Sequence, residues 1–208
     1  REFWSSEQPS AHFTTSAGGL VAERMAAILR EVDDRLCHPE TLHVVDIGCG
    51  DGTLLALMRE ECEDLGPRVR WIGVDVRACE VDGVESLVAE APCPLPLTGV
   101  RGLVMAHEWL DEIPCDVVER DEEGMDRLVL VDREGVEVLG PPLSDGHACA
   151  VCGVDADRAQ SWLARWWPLD EPGDRAEVGI ARDRAWQWMA ELLAEGAAVA
   201  PDYGHVSA

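Results

Sequence analysis

The sequence predicts an α/β fold, with a mostly parallel sheet and helices on both faces. Three observations carry it. Short β-rich runs alternate with stretches of helical spacing, one run empties into a turn holding Gly48, Gly50 and Gly52, and the next run closes on an acid, Asp75. Strand, helix and strand in that order form the βαβ unit of a parallel sheet. At 208 residues, 47% of them hydrophobic, the chain can bury one sizeable core, so a single domain over 1–208 is expected.

From Leu20 to Leu36 the apolar residues Val21, Met25, Ile28, Leu29, Val32 and Leu36 recur at helical spacing opposite Glu23, Arg30, Glu31, Asp33 and Asp34. His38-Pro39 ends this amphipathic helix, which belongs to an N-terminal segment over 1–38. A β-rich run, His43 to Ile47, precedes the glycine turn, and Thr53 to Cys62 reads as the helix after it. Beyond Gly66-Pro67 a strand runs from Val69 to Val76, a third falls near Gly83 to Val88, and a fourth runs from Gly102 to Ala106. Between Cys115 and Leu139 the pattern changes to short alternating strands joined at Glu123-Gly124 and Glu134-Gly135, an antiparallel β insertion over 115–140. Helical spacing returns at Asp157 to Trp167, stopped by Pro168, and at Arg182 to Glu195, where Gly196 reads as a C-cap. A last strand, Ala197 to Ala200, leads into Pro201-Asp202-Tyr203-Gly204.

The turn "VVDIGCGDG" carries the chemistry. A dinucleotide turn is spaced G-x-G-x-x-G, with the pyrophosphate at the helix N-terminus. Here the third glycine, Gly52, comes one residue early. The tighter turn suits a ligand without a diphosphate, passing close beneath an amino-acid-like and ribosyl portion. Asp46 can accept from an ammonium group, and Asp75, closing the adjacent strand, can accept from both ribose hydroxyls. That combination points to S-adenosyl-L-methionine as cofactor. Cys49 reads as a small filler between glycines rather than as a nucleophile.

With those residues in place, the sequence resembles a class I S-adenosyl-L-methionine-dependent methyltransferase of Rossmann-like fold. Three further stretches, "AHFTTS" (11–16), "AHEWLDEIPCDVVE" (106–119) and "PDYGH" (201–205), resemble the MidA-like family. That family includes mitochondrial proteins that methylate arginine in a respiratory complex I subunit. The resemblance implies that the N-terminal segment, with Thr15 and Ser16, covers the cofactor, and that Val76, Glu90 and Ala106 join the cofactor-binding residues. It departs from the family at His107, where Asn is usual, and it lacks the final β hairpin of class I enzymes, so a fragment of a longer protein is expected. Because of His107 the arginine acceptor is not carried over. A methyl-acceptor substrate, protein or small molecule, with a nitrogen or oxygen nucleophile is expected.

Transfer from a sulfonium is an in-line displacement, so the enzyme must align donor and nucleophile and accommodate one proton. Glu108 and Asp111 follow the fourth strand, at the sheet edge where open α/β folds place ligands. Glu108 can hold a cationic or NH-bearing group, while Asp111 is either catalytic or an N-cap. Asp202 and His205 arrive from the last strand, and His107 or His205 can serve as general base or as structural histidine. Arg175 and Glu177 form either a substrate wall or an exposed ion pair. Trp162, Trp166 and Trp167 form a packing ridge or an aromatic cage. Cys149-x-x-Cys152 beside His147 lacks a second paired motif, so no metal is expected. Competing functions are a small-molecule methyltransferase and a catalytically silent cofactor-binding assembly protein.

The 41 acidic and 17 basic residues give a formal charge of −24, which repels phosphate backbones and anionic membranes. No nucleic-acid partner is expected; the simpler consequence of the charge is solubility. Eight scattered cysteines read as reduced thiols and the protein as cytoplasmic. No apolar run approaches the roughly 20 residues of a membrane-spanning helix. The chain opens on Arg1 rather than Met, so a targeting segment is not observable, and oligomeric state is not encoded.

Overall fold

The computed structural model describes residues 18–97, 99–143 and 155–202. The expectations for Thr15 and Ser16, for His147, Cys149 and Cys152, and for Tyr203 and His205 lie outside the described residues. The chain forms two compact units, one from residues up to Asp111 together with those from Ala185 onward, the other from Glu112 to Arg184. The second unit takes in the expected β insertion and continues past it.

The first unit is built on a five-stranded sheet. Its strands are β1 (Leu42–Ile47), β2 (Val69–Asp75), β3 (Val84–Val88), β4 (Val100–Met105) and β9 (Leu193–Val199), in the order β3-β2-β1-β4-β9. Every pairing is parallel. The central strands read as continuous apolar runs because both faces are covered. Alternate residues divide between two cores. Leu42, Val44, Val69, Trp71, Leu103 and Met105 face α1 (Gly18–Arg35) and α2 (Thr53–Glu61). Val45, Ile47, Ile72, Val74 and Val104 face the other way, with Met189 of α4 (Ile180–Glu191). Burying each such aliphatic side chain contributes on the order of 2 kcal/mol. The amphipathic reading of α1 holds, with Ala22, Met25, Ala26, Leu29 and Val32 buried at helical spacing. At its end the buried Asp33 accepts from Arg68 at 2.5 and 2.6 Å and pairs with His38 at 2.9 Å, so its charge is fully engaged.

One expectation is corrected at the last helix. It ends at Glu191, and Leu193 to Glu195 belong to β9, not to the helix. Gly196 is no C-cap. It pairs with Gly102 of β4, and a Cβ on it would lie 1.9 Å from the Gly102 carbonyl oxygen. Gly102 in turn has φ 145 and admits no Cβ, which would sit 2.1 Å from the His43 carbonyl. Helix-forming Leu, Ala and Glu give way here to pairing with β4, a tertiary effect that outweighs local propensity.

The second unit holds an antiparallel sheet of β5 (Val117–Arg120), β6 (Asp126–Val131), β7 (Glu137–Pro142) and β8 (Arg175–Glu177), ordered β7-β6-β5-β8. Its core gathers Val118, Leu128 and Ala176 with Ala159 and Leu163 of α3 (Ala156–Trp166). Asp155 caps α3 by accepting from the Arg158 N–H at 2.8 Å. Trp162 and Trp167 pack against this core while Trp166 is exposed, which favours the packing ridge over the cage. Arg175 is shared between Glu119 and Glu137 at 2.5 and 2.7 Å, and Glu177 pairs with Arg182, so both residues are ion-paired, but with other partners than each other.

Candidate functional site

The sheet order reverses direction between β1 and β4, since β2 and β3 build outward on one side and β4 and β9 on the other. Open α/β sheets bind ligands outside the carboxyl ends of the strands at such a reversal. Both the glycine turn after β1 and the loop after β4 lie there.

The turn is drawn onto the end of β2 by its own backbone. The N–H groups of Gly48 and Cys49 both donate to the Val74 carbonyl, at 2.8 and 3.2 Å, and Gly50 N–H donates to Asp75 Oδ2 at 2.9 Å. Gly48, Gly50 and Gly52 adopt φ values of 72, 58 and 82, a region that costs a side-chain-bearing residue 1 kcal/mol or more. Gly52 stands at the α2 N-terminus with no side chain to cap it, and Asp51 Oδ1 accepts from the first helical N–H, that of Thr53, at 3.0 Å.

Asp46 lies one residue before the end of β1, in register with Gly73 and Met105. It is 2% exposed, and its Oδ1 has no hydrogen-bond partner. Burial, with a smaller contribution from the Asp75 charge, pushes its carboxyl up to about 8. A buried acid with an open oxygen is poorly suited to stabilising the fold alone and well suited to receiving a donor from a ligand. Asp75 is half-buried; its Oδ2 accepts from Gly50, its Oδ1 from Arg77 N–H at 3.3 Å, and its own carbonyl from Ala89 N–H at 2.8 Å. Val76 and Glu90 flank it, exposed. Cys49 is buried, and burial pushes its thiol well above the usual range, in keeping with a filler rather than a nucleophile.

The loop after β4 is tied to the end of β9. Ala106 N–H donates to Val199 at 3.0 Å, Glu108 N–H to Pro201 at 2.9 Å, and Asp111 N–H to Asp202 Oδ2 at 3.1 Å. His107 Nε2 lies 3.6 Å from Glu108 Oε1, and both side chains are partly accessible. The structure thus brings His107, Glu108, Asp111 and Asp202 together. Asp111 caps no helix, because none follows it. The side chain of Ala106 is buried in the core that faces α4. Sequence reasoning passed over Trp109, whose indole lies against Gly48; the only signal was an aromatic residue inside the loop motif.

Residues 20–208 match a family described as "Putative S-adenosyl-L-methionine-dependent methyltransferase". The chain belongs to this family. Family members use S-adenosyl-L-methionine as cofactor. A solved structure of an uncharacterized protein from Burkholderia thailandensis is 25% identical, with a TM-score of 0.66 over 96% of this chain and 53% of its own. Another structure from the same organism, bound to S-adenosyl-homocysteine, is 23% identical with a TM-score of 0.65, covering 90% of this chain and 47% of that one. The methyltransferase-family chain therefore spans about half the length of these two proteins. No curated protein matches it. Its residues fit the cofactor: the unpartnered Asp46 oxygen suits an ammonium group, and at Gly50 a Cβ would meet nothing within 4 Å, so the backbone there is open to a ligand.

Proposed function

We propose that this chain is an S-adenosyl-L-methionine-dependent methyltransferase of the MidA-like kind, acting on a nitrogen or oxygen nucleophile of a protein or small molecule. It is read as one cofactor-binding domain with the β unit inserted, working in the cytoplasm. The observation that carries the reading is the buried Asp46 with its open oxygen, two residues before a glycine turn at the sheet's reversal point. Asp46 accepts from the ammonium group, Asp75 from the ribose hydroxyls, Gly50 lets the backbone approach the ligand, and Gly48 and Gly52 let the turn close against Trp109 and Val81. Bound there, the cofactor supplies an activated methyl group on a sulfonium. Glu108 orients the nucleophile and His107, paired with it, accommodates the proton; Asp111 and Asp202 keep the loop in place.

Titration calorimetry with S-adenosyl-L-methionine, S-adenosyl-homocysteine and NADH tests the reading. Binding of the two sulfur nucleosides but not of NADH is expected, and failure to bind either would sink it. Replacing Glu108 with Gln should slow methyl transfer by roughly ten- to a hundred-fold while leaving cofactor affinity within about two-fold, since one charge-assisted hydrogen bond to the nucleophile is lost.

A further inference from the structure

Resting on that cofactor reading, we propose that Trp109 is a specificity residue: its indole reads the positive charge of the sulfonium and makes the site prefer the methyl donor to its uncharged thioether product. Three features of the molecule support it.

The first is placement. The three heavy atoms nearest to a Cβ built on Gly48 all belong to Trp109, with Cδ1 at 2.6 Å, Cγ at 3.0 Å and Cβ at 3.2 Å. The indole therefore lies on the bare backbone of the first turn glycine, with no side chain between them. Asp46, two residues back, takes the amino-acid end of the ligand and Asp75 takes the ribose, and covalent order puts the sulfur between those two ends.

The second is rigidity. Glu108 immediately before it has φ 50 and donates its N–H to Pro201, and Asp111 two residues on donates to Asp202. The Trp109 ring lies 6.1 Å from that of Trp188 at 48°, and Trp188 is itself fixed by donating from Nε1 to the Cys93 carbonyl at 3.0 Å. Trp109 is only half-buried, so one part of the ring packs inward and part stays accessible. An indole held on both sides cannot turn away from a ligand at Gly48.

The third is electrostatic. The face of an indole is negative, and Trp109 follows Glu108 directly in sequence. Such surroundings favour positive charge. Donor and product share the ammonium, the ribose and the base, and differ at sulfur in one methyl group and one charge. A contact that separates them must respond to that charge, and a cation–π contact changes affinity by roughly two- to thirty-fold.

The test is calorimetry on the whole chain, as wild type, Trp109→Phe and Trp109→Leu, with S-adenosyl-L-methionine and S-adenosyl-homocysteine, each variant checked by thermal melting. In Trp109→Leu the donor should bind about ten-fold more weakly while the product changes by less than about two-fold; Trp109→Phe should fall between. Equal weakening of both ligands would reduce Trp109 to packing and overturn the proposal, as would no change in either. If the Leu variant does not fold, the Phe variant must still lower the donor-to-product preference by about two-fold or the proposal fails. A wild type that binds neither ligand overturns the cofactor reading itself. A wild type that binds both, with an unchanged preference in the variants, overturns only the role of Trp109.

Discussion

Asp46 in the first unit and Asp121 in the second are both buried carboxylates, and their surroundings treat them oppositely. Asp121 Oδ1 accepts from the N–H groups of Glu123 and Met125 at 3.0 and 2.7 Å, and its Oδ2 accepts from Arg127 at 2.5 Å. The Arg127 guanidinium, aided by those backbone donors, holds its carboxyl below the usual range. Asp46 has no partner at Oδ1 and is raised to about 8 by burial. An acid whose acceptors are filled from within the chain is part of the fold. One left open, one residue before the end of β1, has an acceptor the chain itself does not use. Asp33, filled by Arg68 and His38, shows that the contrast belongs to the position and not to the unit.

The largest expected effect sharpens this contrast through pH. Asp46 is raised above its unfolded value of 3.8, so the folded state holds its proton more tightly than the unfolded chain. Its contribution is complete below pH 3.8 and disappears as pH rises to about 8, by up to about 1.4 kcal/mol per pH unit. Asp121 is lowered, so its contribution is present above the ordinary carboxylate range and is lost as pH falls below it. Urea midpoints without added ligand, measured from pH 4 to 8, should therefore decline less in Asp46→Asn than in wild type. At pH 7 that variant should be as stable as wild type or more so, yet bind S-adenosyl-homocysteine at least about ten-fold more weakly, because Asn cannot give up a proton to become the carboxylate that pairs with the ligand's ammonium group. Asp121→Asn should lower the melting temperature and leave ligand affinity alone. The same outcome for both substitutions would break the distinction.

A smaller effect is expected at Gly48, whose φ of 72 and contact with Trp109 leave no room for a Cβ. Gly48→Ala should cost about 2 kcal/mol by chemical denaturation and weaken ligand binding in the same measurement series. The smallest concerns the exposed Arg70–Glu85 pair on the same sheet, at 2.5 Å with side chains 52% and 46% exposed. Arg70→Ala should change stability by no more than about 0.5 kcal/mol, and less in high salt. A loss comparable to that at Gly48 would show that surface charge matters more to this sheet than its burial pattern implies.

Much of the site was legible in the sequence because the chemistry is local there. Asp46, Gly48, Gly50 and Gly52 lie within one turn, and their spacing alone separated them from a dinucleotide fingerprint. Asp75 was legible because a parallel neighbour must end beside its partner, and Gly50 N–H on Asp75 Oδ2 is that meeting. Trp109 was not legible, since the contact that gives it meaning is made across two loops to a glycine, which leaves no side-chain pattern to read. Gly196 misled for a related reason: a glycine after a helix-forming run looks the same whether it caps a helix or admits a neighbouring strand.

The sequence by itself determined the alternation of elements, the two-faced burial of β1, β2 and β4, and the placement of an acid and three glycines at a strand's end, because periodicity and turn chemistry act over a few residues. Tertiary structure decided that Asp46 stays open, because no segment packed around it brings a donor to its Oδ1, whereas Asp121 is filled locally by Glu123, Met125 and Arg127 of its own hairpin. It also decided that β4 and β9 meet through Gly102 and Gly196 and that an indole closes over Gly48, since close approach depends on what lies across the sheet.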